Sequence, residues 1–146
     1  MTATTDITSL LPTPLPACYN SRILLFAIRR MAAHGLNDAH AAHALLGWFG
    51  LGFRRPLVLL RALMAEVSRV SERRLAVAPC CCRRMTRSEA ALIAAIQAAP
   101  ADAAGTHDAL RALTGTRHCL GALSSAQALA QAFDDLGRPL EVAAAD

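Results

Sequence analysis

Apolar residues recur at intervals of three and four along most of the chain. From about Arg22 to His34, Leu24, Ala27, Ile28 and Met31 share one face, and Leu25 and Phe26 widen it. That spacing predicts a largely buried helix. Asn20 or Ser21 can cap it by offering a side-chain oxygen to its first amides, and Gly35 suits its end. Asn37 and Asp38 restart a helix that runs to about Gly50, with Ala41, Leu45, Trp48 and Phe49 as its core stripe. The pattern breaks over Gly50–Arg55. Pro56, which has no amide hydrogen to leave unpaired, then suits a first helical turn. From Pro56 to about Glu72, Leu60, Leu63, Met64, Val67 and Val70 lie opposite Arg61, Glu66, Arg69 and Arg73. Leu75–Ala78 alternates like a short strand and can pair with Arg117–Leu120. Thr86-Arg87-Ser88-Glu89 is a capping box that opens a helix carrying Leu92, Ile93 and Ile96 to about Ala99. Pro100 and Gly105 punctuate a linker, and Thr106 caps a short helix over Asp108–Leu113. Ser124 or Ser125 caps a last helix to about Leu136, ended by Gly137 and Pro139.

These elements predict a mainly α fold, a compact single-domain bundle of about five to six helices with room for one short strand pair. Residues 1–21 read as a flexible Pro-rich arm, in which Leu11-Pro12-Thr13-Pro14-Leu15-Pro16 favours an extended polyproline path. Residues 22–140 form the helical domain and 141–146 a C-terminal tail. Composition agrees. Of 146 residues 54% are hydrophobic and only 4% aromatic, and 54 positions are Ala or Leu. Such a chain is neither disordered nor a β-sandwich, which needs β-branched and aromatic residues.

The mean hydropathy of +0.33 raises the question of a membrane span, which needs about 20 largely apolar residues. A run free of formal charge in the middle of the chain, Ala39–Phe53, has 15 residues and contains two His and three Gly. The N-terminal stretch lacks a basic region before an apolar core, so it does not read as a signal peptide. The expectation is a cytoplasmic protein without a membrane span, its five Cys present as thiols.

Charge adds an asymmetry. All 15 cations are Arg, and Lys is absent. Residues 22–87 carry 12 Arg against Asp38, Glu66 and Glu72, whereas residues 88–146 carry three Arg against seven acids. One reading is mutual neutralisation between the two parts. The other is a partner-binding face for an acidic protein, or for a second copy of this chain, built from Arg54, Arg55, Arg73, Arg74, Arg83 and Arg84. Guanidinium also suits phosphate, but no helix-turn-helix, finger or stacking-aromatic pattern supports nucleic acid.

The candidate chemistry is Cys80-Cys81-Cys82. Three adjacent thiols have no packing rationale as a set. In an extended segment Cys80 and Cys82 point together and can chelate a soft metal such as zinc or another transition metal, with His40 and His43, three apart on one helix face, as further ligands. As thiols, Cys81 and Cys82 stand before a helix start and beside Arg83, Arg84 and Arg87, a setting that favours thiol-redox chemistry. The plain alternative is a loop of small buried hydrophobes.

Cys81 followed after five residues by Arg87-Ser88 resembles the loop of cysteine-dependent phosphatases and arsenate reductases. That resemblance implies Cys81 as nucleophile and Arg87 as oxyanion holder. It covers eight residues, and the loop lacks the Gly that aims amides at one point. More broadly, Arg29–Ala39, Phe53–Leu57 and Ala78-Pro79-Cys80-Cys81-Cys82 with Arg84-Met85-Thr86 resemble an uncharacterised family of small alphaproteobacterial proteins. This implies a one-domain bacterial cytoplasmic protein and supplies no catalytic residues. The function these features support is a small non-enzymatic binding or regulatory protein with a Cys-triplet metal or thiol site. A Cys-nucleophile enzyme and a nucleic-acid binder are the alternatives.

Overall fold

A computed structural model describes residues 10–141. Its described elements are β1 (Thr13–Pro14), α1 (Tyr19–His34), α2 (Ala39–Phe49), a 3-10 turn (Gly50–Phe53), α3 (Arg54–Val70), β2 (Arg84–Met85), α4 (Arg87–Ala98), α5 (Ala103–Thr114) and α6 (Leu120–Asp135). The fold is mainly α, as the periodicity predicts. Three pairings organise it: α3 on α6, α1 on α2, and α4 on α5.

The α3–α6 contact is the centre of the core. Leu60 and Leu63 of α3 are completely buried, as are Ala122, Ala126, Leu129 and Phe133 of α6. Alanines four apart let the helix axes approach, and Leu and Phe fill the space around them. Phe133 meets Phe49 edge to face, with centroids 4.8 Å apart and an interplanar angle of 84°. That geometry sets positive ring edges against a negative ring face. Trp48, expected in the same stripe, is half-buried instead. Its Nε1 donates to Asn20 Oδ1 at 2.8 Å, and Arg138 stacks on its ring 4.5 Å from the centroid.

Helix boundaries follow side-chain chemistry closely where the signal is local. Asp38 caps α2 by accepting from the Ala41 amide, and the Thr86–Glu89 capping box opens α4. Gly35, at φ 100°, ends α1 in a conformation that other residues avoid. Elsewhere the expectations move. Helix α1 begins at Tyr19 rather than Arg22, so Asn20 lies inside it and makes tertiary bonds: Asn20 Nδ2 donates to Pro139 O at 2.8 Å. Asp102, not Thr106, caps α5, and it accepts from the Gly105 amide. Gly105 and Thr106 are therefore helical, and Thr106 is buried. The last helix begins at Leu120, not after Ser124 or Ser125.

The expected strand pair is not formed. Leu75–Ala78 has no ladder partner, Arg117–Cys119 lies in the α5–α6 connection, and Leu120 opens α6. The strand pair that does form joins β1 to β2 antiparallel, with Thr13 opposite Met85 and Pro14 opposite Arg84. An extended Pro-rich path lies close to a strand in backbone angles, and Pro14 is tolerated because this two-stranded ladder has only edges. Of the Pro-rich arm, residues 1–9 lie outside the described residues, as do residues 142–146 of the tail.

Candidate functional site

The Cys triplet sits on the connection from α3 to β2. Its backbone is a turn, closed by the Cys82 amide donating to Pro79 O at 3.0 Å. Cys80 and Cys81 occupy the tip and are exposed, while Cys82 is half-buried. The turn replaces the extended conformation on which the pairing of Cys80 with Cys82 as chelating neighbours rested. Among the described residues no group of three or more His, Cys, Asp and Glu is arranged to hold a metal ion. Thus Cys80, Cys82, His40 and His43 do not assemble as a ligand set. His40 and His43 are exposed on α2, and it is His34 that shares a shallow groove with Cys80.

The turn is fastened from below by a polar cluster that the sequence did not reveal. Arg29 projects from α1 and is only 3% exposed. Its Nε donates to Glu89 Oε2 at 2.6 Å, and Nη2 donates to Glu89 Oε1 at 3.1 Å. Nη1 donates to Cys82 O at 2.8 Å, and Nη2 also reaches Arg84 O at 2.8 Å. The Glu89 carboxylate in turn accepts from the amides of Thr86 at 2.9 Å and Ala78 at 3.3 Å. Thr86 Oγ1 donates to Ala76 O at 2.6 Å. One buried ion pair thus holds backbone on both sides of the Cys triplet. Its two charges compensate each other, and their remaining donors and acceptors meet peptide groups, the condition for burying such a pair at tolerable cost.

This wiring bears on the nucleophile-loop resemblance. A phosphate cradle needs free amides converging on one point. Here the Cys82 amide donates to Pro79, the Thr86 amide to Glu89, and the Glu89 amide to Thr86 Oγ1. Arg87 is exposed at the first position of α4, and β2 separates it from Cys81.

Beside the turn, Arg30 makes a fork with Asp38: Nε to Oδ2 and Nη2 to Oδ1, both at 3.0 Å. The hydrogen bonds from Arg30 pull the Asp38 carboxyl down to about 2. Asp38 likewise raises the Arg30 guanidinium, and nearby Cys80 acts in the same direction. Two other thiols behave differently. Cys119 is buried, 3.2 Å from Thr114 Oγ1, and fills core. Cys18, at the start of α1, is half-buried. Burial opposes ionisation of its thiol, but backbone hydrogen bonds from Glu141, Ser21 and Asn20 outweigh it and lower its pKa. No sequence motif marked Cys18.

The Arg surplus is largely consumed inside the molecule. Arg84 donates to Leu11 O and Pro12 O, both at 2.8 Å, which fixes the N-terminal strand and removes Arg84 from the expected partner-binding face. Arg61 donates to Leu36 O at 2.9 Å and Arg22 to Pro16 O at 2.6 Å. Arg55 pairs with Asp135 at 2.7 Å. Arg73 donates to Ala112 O at 2.8 Å. Arg54, Arg74 and Arg83 are exposed, and among the described residues their side chains make no ion pair.

Among the described residues no helix is long and apolar enough to cross a membrane. Residues 1–141 match the model of a family of unknown function (DUF6628). No curated protein and no solved structure matches the chain.

Proposed function

The chain therefore belongs to that family of unknown function, and from its geometry we propose that it is a non-enzymatic, thiol-redox binding protein. The observation that carries this reading is the exposure of Cys80 and Cys81 at the tip of a turn that Arg29 anchors through the Cys82 carbonyl. In a reducing cytoplasm the three thiols rest reduced. The oxidant is a hydroperoxide. A Cys80 thiolate attacks its terminal oxygen, an S–O bond forms, the O–O bond breaks, and the departing alkoxide takes up a proton to leave as an alcohol. Cys80 is then a sulfenic acid. The Cys82 thiol attacks that sulfur, an S–S bond forms and the hydroxyl leaves as water. Two thiols have supplied two electrons to one peroxide. Ring closure across Cys80–Cys82 reshapes the turn, and Arg29 passes the change to β2 and α4. An acidic protein partner that touches the exposed Arg83 next to the turn would read it.

Titration of reduced, untagged protein with hydrogen peroxide, followed by peptide mass mapping, tests the reading. The expected result is loss of two thiols per chain within Cys80–Cys82, restored by dithiothreitol, with Cys119 unmodified. A Cys80→Ser/Cys82→Ser variant should lose this response. First oxidation at Cys18, or a triplet inert to peroxide, would overturn the proposal. So would stoichiometric zinc or iron in the purified protein that disappears in the same variant, because the thiols would then serve as ligands.

A further inference from the structure

Independently of the thiols, a groove of about 770 Å³ runs between α1, α3, the start of α4 and the connection 71–77. Its walls are mainly alkyl: Met31, Met64, Val67, Leu75, Val77 and Leu92. The unbranched thioethers of Met adapt to ligand shape, and the volume lies within the roughly 300–1,000 Å³ usual for small-molecule sites. Two of the charges on its walls are neutralised. Glu89 is paired with Arg29, and Arg69 is held by Glu66. Arg73 is different. It lines both this groove and a second, smaller one with Arg111, Arg117 and Asp108. Asp108 lies 3.5 Å from Arg111, and among the described residues no acid pairs with Arg73. The bond from its Nη1 to Ala112 O fixes the guanidinium beside Gly115, on the second groove's side of the junction. The alkyl-lined groove thus adjoins, through Arg73, a second groove that holds Arg111 and Arg117.

We propose that this groove binds a single-chain fatty acid, its alkyl tail along Met31, Met64 and Leu92 and its carboxylate on Arg73. Charge complementarity selects an anion over a neutral or cationic amphiphile, because guanidinium accepts a carboxylate in a fork. A protein helix is a poorer fit. A stable protein interface needs on the order of 800 Å² per partner, and the most exposed large hydrophobics, Leu51, Leu120 and Tyr19, are not among the groove's lining residues.

The test is calorimetric titration of the full chain with dodecanoate below its micelle concentration, beside dodecanol and inorganic phosphate. One dodecanoate per chain is expected, with dodecanol about tenfold weaker. Arg73→Gln should weaken dodecanoate about tenfold and leave dodecanol unchanged, since only the charge-assisted contact is lost. Met64→Trp should fill the groove and abolish binding of both. Should that variant fail to fold, Ala65→Trp enters the same groove from an exposed position of α3 and should act alike. Three results would overturn the proposal: no dodecanoate binding, equal binding of dodecanoate and dodecanol with Arg73→Gln silent, or phosphate binding at the Arg cluster without any alkyl requirement.

Discussion

Helices α3 and α6 meet through methyl and alkyl groups, whereas the connection carrying Cys80–Cys82 meets α1 and α4 through guanidinium, carboxylate and carbonyl groups. At the first contact, Leu60, Leu63, Ala126 and Leu129 are removed from water completely. Each fully buried Leu contributes about 1.5–3 kcal/mol, and no single atom position is decisive. At the second contact few apolar groups are buried, and Arg29 and Glu89 set the conformation through directional bonds. The first arrangement tolerates volume-conserving exchange. The second does not, because removing either charge leaves the other buried without its counter-charge. Backbone that cannot be secured by burial is secured here by Arg, and the same device recurs at Arg84, Arg61, Arg22 and Arg73, each donating to a main-chain carbonyl. A planar fork with five donors can serve several carbonyls at fixed angles, which a Lys ammonium cannot. The absence of Lys thus has a structural counterpart in this molecule.

The sharpest way to break the comparison is to cut one element of each region. Arg29→Met should cost about 3–5 kcal/mol, the penalty for stranding a buried carboxylate. Leu60→Ala should cost about 2–5 kcal/mol, the transfer and cavity terms together. The magnitudes overlap, so the discriminating readout is where protection is lost. Hydrogen exchange should accelerate over residues 76–86 in Arg29→Met well beyond the global change, and across α3 and α6 together in Leu60→Ala. Uniform loss of protection in both variants would mean that the Cys turn and the helical core unfold as one unit.

A smaller effect is expected at the strand pair. Arg84→Met removes two hydrogen bonds to Leu11 O and Pro12 O while keeping the aliphatic stem. Partial exposure of this site lets water replace the lost donor, so the cost should be roughly 1–2 kcal/mol. Proteolysis after Leu11 should rise while α3 and α6 keep their protection. An unchanged cleavage rate would show that the β1–β2 ladder alone holds the segment.

What was legible in the sequence divides along the same line. Periodicity within one helix, the helix restart at Asn37 and Asp38 and the Thr86–Glu89 capping box depend on residues a few positions apart, and those readings hold. The partnership of Arg29 with Glu89 spans 60 positions. Nothing in the pattern distinguishes Arg29, which is buried, from its neighbour Arg30, which is not. The strand pairing failed for a related reason. Leu75–Ala78 has strand-like alternation, but its polar groups go to Glu89 and Thr86, while a Pro-rich stretch with no alternation provides the strand. At the candidate site the oddity of three adjacent Cys was visible. Their turn was not, because turn geometry depends on Arg29 holding the Cys82 carbonyl from another element.

The smallest expected effect isolates the charge of Asp38 from its role as a cap. Asp38 both accepts from the Ala41 amide and forks with Arg30. Asn caps a helix about as well as Asp, so Asp38→Asn keeps the first role and loses the second. The carboxyl is depressed by Arg30 from an ordinary 3.8 to about 2 in the folded chain. Its contribution to stability is therefore fully present above the unfolded value, near pH 4, and is lost as pH falls through about 2. Wild type should exceed Asp38→Asn in urea midpoint at pH 5, and the gap should close progressively between pH 4 and pH 2. The variant keeps some acid sensitivity of its own, since Glu66 is lowered by the hydrogen bond from Arg69, and Asp135 by those from Gln131 and Arg55. A gap that stays constant down to pH 2 would assign the difference to capping, and the Arg30 fork beside Cys80 would then carry no measurable stability.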